Sequence, residues 1–229
     1  MKIFFKKIYK QLLKSEKSKK FWLKKFITLN NFSYEQISRL VVGLEKGVHP
    51  KHRIMNYHKF FVDNIESQDT ILDLGCGNGF LAYDLAQKAK KVVGIDISQK
   101  NINFAKSNYQ RDNLEFLVGD ATTYNFTESF DKIALSNVLE HIQNRVDFLS
   151  RLKEISNIIL IRVPLINRDW LTVYKKEKNF EYRLDKTHYI EFTLEGLQFE
   201  LKQAGWDLVK YSINFGEIWG IVKKYEKEN

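Results

Sequence analysis

The feature that most constrains this chain is an apolar segment that leads directly into a glycine-rich loop. The segment is Ile71-Leu72-Asp73-Leu74, and the loop is Gly75-Cys76-Gly77-Asn78-Gly79. After the loop, apolar side chains recur at the spacing of one helix face, at Phe80, Leu81, Leu85 and Ala89. Glycines at such a turn let the backbone approach a ligand, and the amides at the helix N-terminus can face its polar atoms. The pattern predicts a parallel α/β sheet with a nucleotide-cofactor site.

Acidic residues follow the glycine loop at the ends of two further predicted strands. The strand that begins at Val92 ends at Asp96, 21 residues after Gly75, where an adenosine ribose would need a carboxylate for its hydroxyls. The strand from Leu114 to Val118 leads to Asp120. Two local roles are equally open: Asp96 could cap the next helix, and Asp120 could be a turn residue. The dinucleotide fingerprint requires a third glycine where this chain has Phe80, so NAD is disfavoured.

A fourth marker, Ser136-Asn137-Val138-Leu139-Glu140-His141-Ile142, follows the fourth predicted strand. With these markers in this order, the chain resembles the class I S-adenosylmethionine-dependent methyltransferases over roughly residues 55 to 222. The resemblance implies a Rossmann-like, seven-stranded, mostly parallel sheet with helices on both faces and an antiparallel last strand. It also implies S-adenosylmethionine as the cofactor and S-adenosylhomocysteine as the product.

The resemblance carries over to individual cofactor contacts. Asp73 and the glycine loop would surround the methionine part, Asp96 the ribose, Asp120 the adenine amino group, and Asn137 the sulfonium. Cys76 is the single cysteine, and we interpret it as a small side chain near the cofactor rather than as a reactive thiol. The expected cofactor-binding residues are Asp73, Gly75, Cys76, Gly77, Asn78, Gly79, Asp96, Ile97, Asp120, Ala121 and Asn137.

The excess positive charge lies in a short N-terminal arm. The net charge is +9, and residues 1 to 25 hold ten lysines and one acid, Glu16, so that basic and acidic residues cancel in the remainder. Interspersed aromatic residues make the arm amphipathic, which suits an anionic membrane surface, a cover for the catalytic domain, or RNA. We expect a basic helical arm and cap over residues 1–54 and the methyltransferase domain over residues 55–229.

Further helices are predicted from Phe32 to Val48, from Ile54 to Ile65 and from Thr193 to Gly205, followed by a terminal hairpin. His49, His52 and His58 lie among the first of these without a cysteine or a tight acidic cluster, so no metal site is expected. No apolar run approaches the ~20 residues of a membrane span. A cytoplasmic protein, at most peripherally attached to the inner face of a membrane, is the consistent expectation.

Two segments bear on the methyl acceptor. Enzymes of this family that methylate exocyclic amines carry Asn/Asp-Pro-Pro-aromatic after the fourth strand, whereas Leu139–Ile142 resembles methyltransferases of small molecules, quinones, lipids and sugars. A lid insertion is predicted at about 165–192. Its aromatic, basic and acidic residues suit a polar ring acceptor such as a sugar, or form an ordered lid without acceptor contact. The expected substrate-binding residues are Arg168, Trp170, Tyr174, Arg183 and Tyr189.

The predicted reaction is O-methylation of a small or lipid-linked acceptor, for example a saccharide in glycan biosynthesis. His188 is the first candidate for a general base and His141 the second, because a neutral histidine can accept a hydroxyl proton near pH 7. Both histidines could instead have structural roles. Two other functions stay open, namely an RNA methyltransferase and a non-catalytic relative that binds a partner through its N-terminal helices.

Overall fold

The computed structural model describes residues 13–225, which divide into two compact units. A helical unit comprises residues 13–54 and 170–182, and a sheet unit comprises residues 55–169 and 183–225. The first part of the predicted basic arm, residues 1–12, lies outside the described residues.

The α-helices, in chain order, are α1 (Glu16–Leu44), α2 (Lys51–Met55), α3 (Tyr57–Asp63), α4 (Phe80–Ala86), α5 (Gln99–Asn108), α6 (Arg145–Leu152), α7 (Trp170–Glu177) and α8 (Leu194–Gln203). The strands are β1 (Thr70–Leu74), β2 (Lys91–Asp96), β3 (Leu114–Val118), β4 (Lys132–Ser136), β5 (Ile158–Pro164), β6 (Trp206–Asn214) and β7 (Glu217–Lys224). Short 3-10 helices cover Leu139–His141 and Ile166–Arg168.

The sheet has the order β3-β2-β1-β4-β5-β7-β6, in which β1 to β5 are parallel and β7 is antiparallel to both of its neighbours. The predicted seven-stranded sheet with an antiparallel last strand is therefore confirmed. The carboxyl ends of β1 to β4 lie at one end of the sheet. The outer strands are β3 and β6, and a bulge between Leu208 and Lys210 interrupts the pairing of β6 with β7.

Apolar clusters cover both faces of the sheet. One cluster includes Leu149 of α6, Leu201 of α8 and the fully buried Trp206. The other includes Phe61 of α3 and Leu85 of α4. Burying such side chains on the two faces fixes the sheet between helices, as the resemblance implied.

The helical unit is built on α1, a longer helix than the one predicted from residue 32. Ser15 caps it, since the Ser15 Oγ accepts the Ser18 amide at 3.1 Å. It stops at Leu44 rather than Val48, because Lys46 and Gly47 adopt left-handed conformations. Within this unit the buried Lys175 of α7 donates to Asn30 and Asn31 of α1, at 2.9 and 2.7 Å. No helix was predicted at α7.

The predicted helix from Ile54 to Ile65 is divided in two at Asn56, whose φ of 50° cannot continue a right-handed helix. The helix predicted after Thr193 is confirmed as α8, with the Thr193 hydroxyl accepting the Gly196 amide at 3.0 Å. Within residues 13–225, no helix has the length and apolar composition that crossing a bilayer requires.

Candidate active site

A cavity of about 730 Å³ lies in the sheet unit, where β1 to β4 end. Six of the residues predicted to bind the cofactor line this cavity, namely Gly75, Asp96, Ile97, Asp120, Ala121 and Asn137. Of the predicted catalytic and acceptor residues in the sheet unit, His141 and Tyr189 line it as well. The two sets of predicted residues therefore meet in one space.

The glycine loop folds over the end of β2. The amides of Gly75 and Cys76 both donate to the Ile95 carbonyl, at 2.8 and 3.0 Å. At Gly79, with a φ of 81°, a Cβ would lie 2.7 Å from the Phe116 ring, so only glycine fits there. At Gly77, with a φ of 54°, the described residues leave more than 4 Å around a Cβ. The backbone at Gly77 is therefore open to a ligand.

Asp73, just before the loop, is a buried carboxyl group with one uncommitted oxygen. It is 1% exposed, and its Oδ2 has no hydrogen-bond partner among residues 13–225. Burial, with a further contribution from the charge of Asp96, raises the pKa of Asp73 to about 8. Burial likewise raises the pKa of the Cys76 thiol, which favours the unreactive protonated form.

Asp96 joins the loop to the next helix. Its Oδ2 accepts the Gly77 amide at 3.0 Å, while its Oδ1 accepts the Ser98 amide at 2.8 Å and the Asn101 side chain at 3.2 Å. The N-terminal cap of α5 is Ser98, whose hydroxyl accepts the Asn101 amide. Asp96 thus supports the loop and lines the cavity at the same time.

Asp120 has a turn role as well as a place on the cavity wall. Its Oδ1 accepts both the amide and the hydroxyl of Thr122, at 2.8 and 2.7 Å. These bonds fix the turn that places Ala121 beside it on the wall.

Asn137 leaves β4 in a left-handed conformation, with a φ of 56°. Its amide donates to the Arg162 carbonyl at 2.8 Å, and its buried Oδ1 has no partner within the described residues. A non-glycine residue in a left-handed conformation, with an unsatisfied polar atom beside a cavity, is a feature of binding sites.

A buried ion pair supports this strand end, and the sequence carried no local signal for it. Arg162 donates through Nε and Nη2 to the two carboxylate oxygens of Glu217, at 2.5 and 2.7 Å. Trp219 Nε1 donates to the same carboxylate at 3.1 Å, and the Arg162 guanidinium lies 3.7 Å from the centre of the Tyr57 ring. Burial raises the pKa of Tyr57 to about 12, so its hydroxyl keeps its proton.

His141 and His188 come together although 47 positions separate them in the sequence. Their ring centres are 4.6 Å apart, and the rings meet edge to face. His141 Nδ1 lies 3.0 Å from the Thr187 hydroxyl, which donates its only proton to Asp185 at 2.7 Å. Nδ1 of His141 must therefore be the donor, and Nε2 holds the lone pair. Burial lowers the pKa of His141, which favours this neutral form.

Glu140 precedes His141 and has no exposed surface. Neither of its carboxylate oxygens has a hydrogen-bond partner among residues 13–225. Burial raises the pKa of Glu140 to about 8. This residue belonged to the motif that carried the resemblance, but nothing in the motif indicated that its side chain would be isolated.

The remaining predicted acceptor residues have diverse positions. In the sheet unit Arg168 pairs with the buried Glu191, and Arg183 donates to the His188 carbonyl at 2.9 Å. Trp170 and Tyr174 belong to the helical unit, where their ring centres are 6.4 Å apart.

Sequence reasoning missed polar residues of the cavity wall, namely Gln143, Asn144 and Asp147. Their only signal was their position directly after the Leu139–Ile142 motif.

Comparison with known proteins identifies the family. A methyltransferase-domain family matches residues 65–211. A ubiquinone biosynthesis O-methyltransferase of Bartonella tribocorum is 35% identical over 104 residues, which cover 44% of this chain and 42% of that protein. The chain spans less than half the length of this and other curated relatives that it matches.

Solved structures share the fold. A chain from the complex of the Haloferax volcanii Trm112 methyltransferase activator with its methyltransferase superimposes with a TM-score of 0.66 at 16% identity, covering 80% of this chain and 95% of that one. Magnesium protoporphyrin IX methyltransferase of Synechocystis, with bound S-adenosylhomocysteine, gives 0.58 at 19% identity, covering 75% and 80%. With a family match over more than half of its length, the chain belongs to the methyltransferase-domain family, the class I enzymes whose cofactor is S-adenosylmethionine.

Proposed function

We propose that this methyltransferase acts on a hydroxyl oxygen of a small or lipid-linked acceptor such as a saccharide. The observation that carries the proposal is the single cavity in which Asp96, Asp120 and Asn137 share a wall with His141 and Tyr189. A space of about 730 Å³ is within the range of small-molecule sites.

The acidic groups of this space fit S-adenosylmethionine, which supplies a methyl group bonded to a positively charged sulfonium. Asp73 offers an unpartnered oxygen suited to a cationic or hydrogen-bond-donating group, and Gly77 leaves room along the backbone. We assign the methionine part to Asp73 and the glycine loop, and the ribose to Asp96 with Ile97. Asp120 and Ala121 would hold the adenine, and Asn137 would lie beneath the sulfonium.

The rest of the cavity wall suits a hydroxylated acceptor. Gln143, Asn144 and Asp147 line it, and their amide and carboxylate groups can bond hydroxyls. Phe148 and Tyr189 add aromatic surface of the kind that packs on the apolar face of a sugar ring. Arg168, Trp170, Tyr174 and Arg183 remain proposed acceptor contacts on the basis of their residue types.

A hydroxyl is a weak nucleophile until it loses its proton, so the site must handle that proton as the oxygen–methyl bond forms. His141 lines the cavity, and Asp185 and Thr187 fix the tautomer in which its Nε2 holds a lone pair. His188 contacts it from the protein interior. We assign this task to His141, with His188 as its neighbour.

The basic arm supports a membrane-associated acceptor. All six lysines from Lys14 to Lys25 are exposed, and so are the large apolar rings of Phe21 and Phe26 in α1. Exposed lysines beside exposed aromatic rings suit the headgroup region of an anionic bilayer. We therefore propose peripheral contact with anionic lipid through this arm.

Two binding and turnover measurements test the methyltransferase proposal. In calorimetric titration, S-adenosylmethionine should bind the wild type, and Asp96→Ala should weaken binding by about 1.5–3 kcal/mol for each hydrogen bond lost to a charged group. Unchanged affinity in this variant would refute the ribose assignment. Radiolabelled S-adenosylmethionine should then be offered with nucleotide sugars, lipid-linked saccharides, dihydroxyaromatic compounds and total RNA. Label that enters RNA and no saccharide would replace the proposal with the RNA alternative.

Vesicle sedimentation tests the role of the arm. The full chain should sediment with vesicles that contain phosphatidylglycerol and not with pure phosphatidylcholine, and binding should weaken as salt rises. A variant with Lys19, Lys20, Lys24 and Lys25 changed to Gln should lose most of this binding, whereas Lys223→Gln and Lys224→Gln in β7 should not. Equal sedimentation of both variants would refute a lipid-binding arm.

A further inference from the structure

Three buried glutamates lie near one another, and only one lacks a positive partner. Glu217 is paired with Arg162, and Glu191 is paired with Arg168. Glu140 has no exposed surface, no salt bridge and no hydrogen bond to either carboxylate oxygen within residues 13–225. Because an isolated buried carboxylate is costly, such groups are normally paired or bound to a metal ion.

Two imidazoles stand next to this carboxylate. Glu140, His141 and His188 each offer one ligand atom, and these three atoms lie within 4.8 Å of one another. Ligand atoms bound to one tetrahedral ion at about 2.1 Å lie about 3.4 Å apart, so the three side chains must close by up to about 1.4 Å to hold the ion. His188 is almost fully buried, with 5% of its surface exposed.

Groups behind both histidines orient the rings toward such an ion. Asp185 and Thr187 keep the proton of His141 on Nδ1, which leaves Nε2 with a lone pair. His188 Nδ1 lies 3.4 Å from Glu191 Oε1, so a carboxylate stands behind this ring too. Carboxylates and hydroxyls behind ligating histidines are typical of metal sites.

We propose that Glu140, His141 and His188 bind a divalent transition-metal ion, with Zn²⁺ as the reference ion. Two histidines and one carboxylate form a ligand set that leaves a coordination position open on zinc. This proposal differs from the expectation of no metal site. That expectation considered only His49, His52 and His58, because the sequence does not show that His188 lies beside Glu140 and His141.

The role of the ion rests on the proposed function, whereas its binding does not. His141 lines the cavity, so an acceptor hydroxyl in the cavity could take the open position. Metal coordination lowers the pKa of a bound hydroxyl and yields a better nucleophilic oxygen, its proton passing to solvent. With the Nε2 lone pair of His141 bound to the ion, the ion takes over the activation of the hydroxyl that was assigned to His141 in its metal-free form. The acceptor class is then a hydroxyl compound able to coordinate a metal ion.

The first test uses metal alone, without cofactor or acceptor. Chelator-stripped full-length protein is titrated with Co²⁺ and followed by visible absorption, and Zn²⁺ is then added as a competitor. We expect one Co²⁺ per chain, its displacement by Zn²⁺, and a higher melting temperature with Zn²⁺. Absence of a Co²⁺ absorption band and of a Zn²⁺ melting shift in the wild type would overturn the proposal.

Variants locate the ion. Glu140→Gln and His188→Ala should abolish the Zn²⁺ melting shift, and Thr187→Val, which removes only the group behind His141, should weaken affinity by ~10–100-fold. His58→Gln is the matched control, because His58 bonds Asp84 outside the cluster in the same unit. A Zn²⁺ response in Glu140→Gln equal to that of the wild type would place the ion elsewhere and overturn the assignment.

Folding and function are separable in this design. Glu140→Gln keeps the shape of the side chain and cannot carry a buried charge, so its metal-free form should melt no lower than the metal-free wild type. If it does not fold, the Co²⁺ spectrum of Thr187→Val decides, because a spectrum and affinity unchanged from the wild type would refute the site. Zn²⁺ binding without methylation of any hydroxyl acceptor would refute the proposed function alone, and full methylation after metal removal would refute the catalytic ion alone.

Discussion

Glu217→Gln should destabilise the sheet unit by about 3 kcal/mol. The carboxylate of Glu217 accepts two hydrogen bonds from Arg162 and one from Trp219, and it is almost fully buried. Glutamine has nearly the same shape but presents an NH₂ group where the guanidinium needs an acceptor. Arg162 would then keep its charge in the interior without a counter-charge.

The magnitude follows from that isolation. Removing one partner of a buried ion pair costs about 3–5 kcal/mol, and we place this change at the lower end because the amide keeps one acceptor oxygen. The Tyr57 ring, 3.7 Å from the guanidinium, offers only a weak alternative interaction for the charge.

Urea unfolding followed by circular dichroism measures the effect. Asp63→Asn is the matched control, because it breaks an ion pair with Lys59 whose side chains are 65% and 53% exposed. An exposed pair one helical turn apart contributes about 0.3–0.5 kcal/mol. If Glu217→Gln loses less than about 1 kcal/mol, the buried charge is compensated elsewhere and the reasoning fails.

Two further outcomes concern the glycine loop. In cofactor-free protein the pKa of Asp73 is raised from 3.8 to about 8, so the stability that Asp73 contributes is present below about pH 4 and lost as pH rises toward 8. Between these pH values the free energy of unfolding should fall by up to about 1.4 kcal/mol per pH unit, and Asp73→Asn should remove this dependence. If the free energy of unfolding changes with pH in the same way in both proteins, the reasoning is wrong. Gly79→Ala should cost about 2–4 kcal/mol, since its Cβ would meet Phe116 at 2.7 Å. Gly77→Ala should lower the free energy of unfolding by only about 1 kcal/mol but should weaken S-adenosylmethionine binding. If denaturation shows a greater loss of stability for Gly77→Ala than for Gly79→Ala, and calorimetry shows that only Gly79→Ala weakens binding, this view of the loop is refuted.

The sheet could be predicted because its signals are local. The run Ile71–Leu74 is apolar except for Asp73, which suits a strand buried on both faces, and the runs of β1, β2 and β3 end at or just before a glycine or an acid. The helix break at Asn56 could not be predicted, because asparagine is compatible with both helical and left-handed conformations. Helix α7 was missed because its first turn follows a short 3-10 segment and its packing residue, Lys175, is charged.

The cofactor side of the candidate site was more accessible to sequence reasoning than the acceptor side. Asp96 and Asp120 follow strands directly, so their positions at the end of the sheet follow from strand order. Arg162 and Glu217 meet only because β7 pairs antiparallel to β5, and neither residue marks that register. Glu140 is isolated because no group among residues 13–225 forms a hydrogen bond to its carboxylate oxygens, and a sequence motif does not show this.

The bulge in β6 has a consequence for solubility. As an outer strand, β6 has one edge that no strand of this sheet pairs with, and Val209, Tyr211 and Ile213 along it are exposed. An incoming strand from another molecule needs an unbroken run of evenly spaced backbone groups. The irregularity between Leu208 and Lys210 breaks that run, and the exposed Lys210 would have to give up its water on docking. The irregularity that distorts the hairpin therefore also disfavours edge-to-edge aggregation of the sheet.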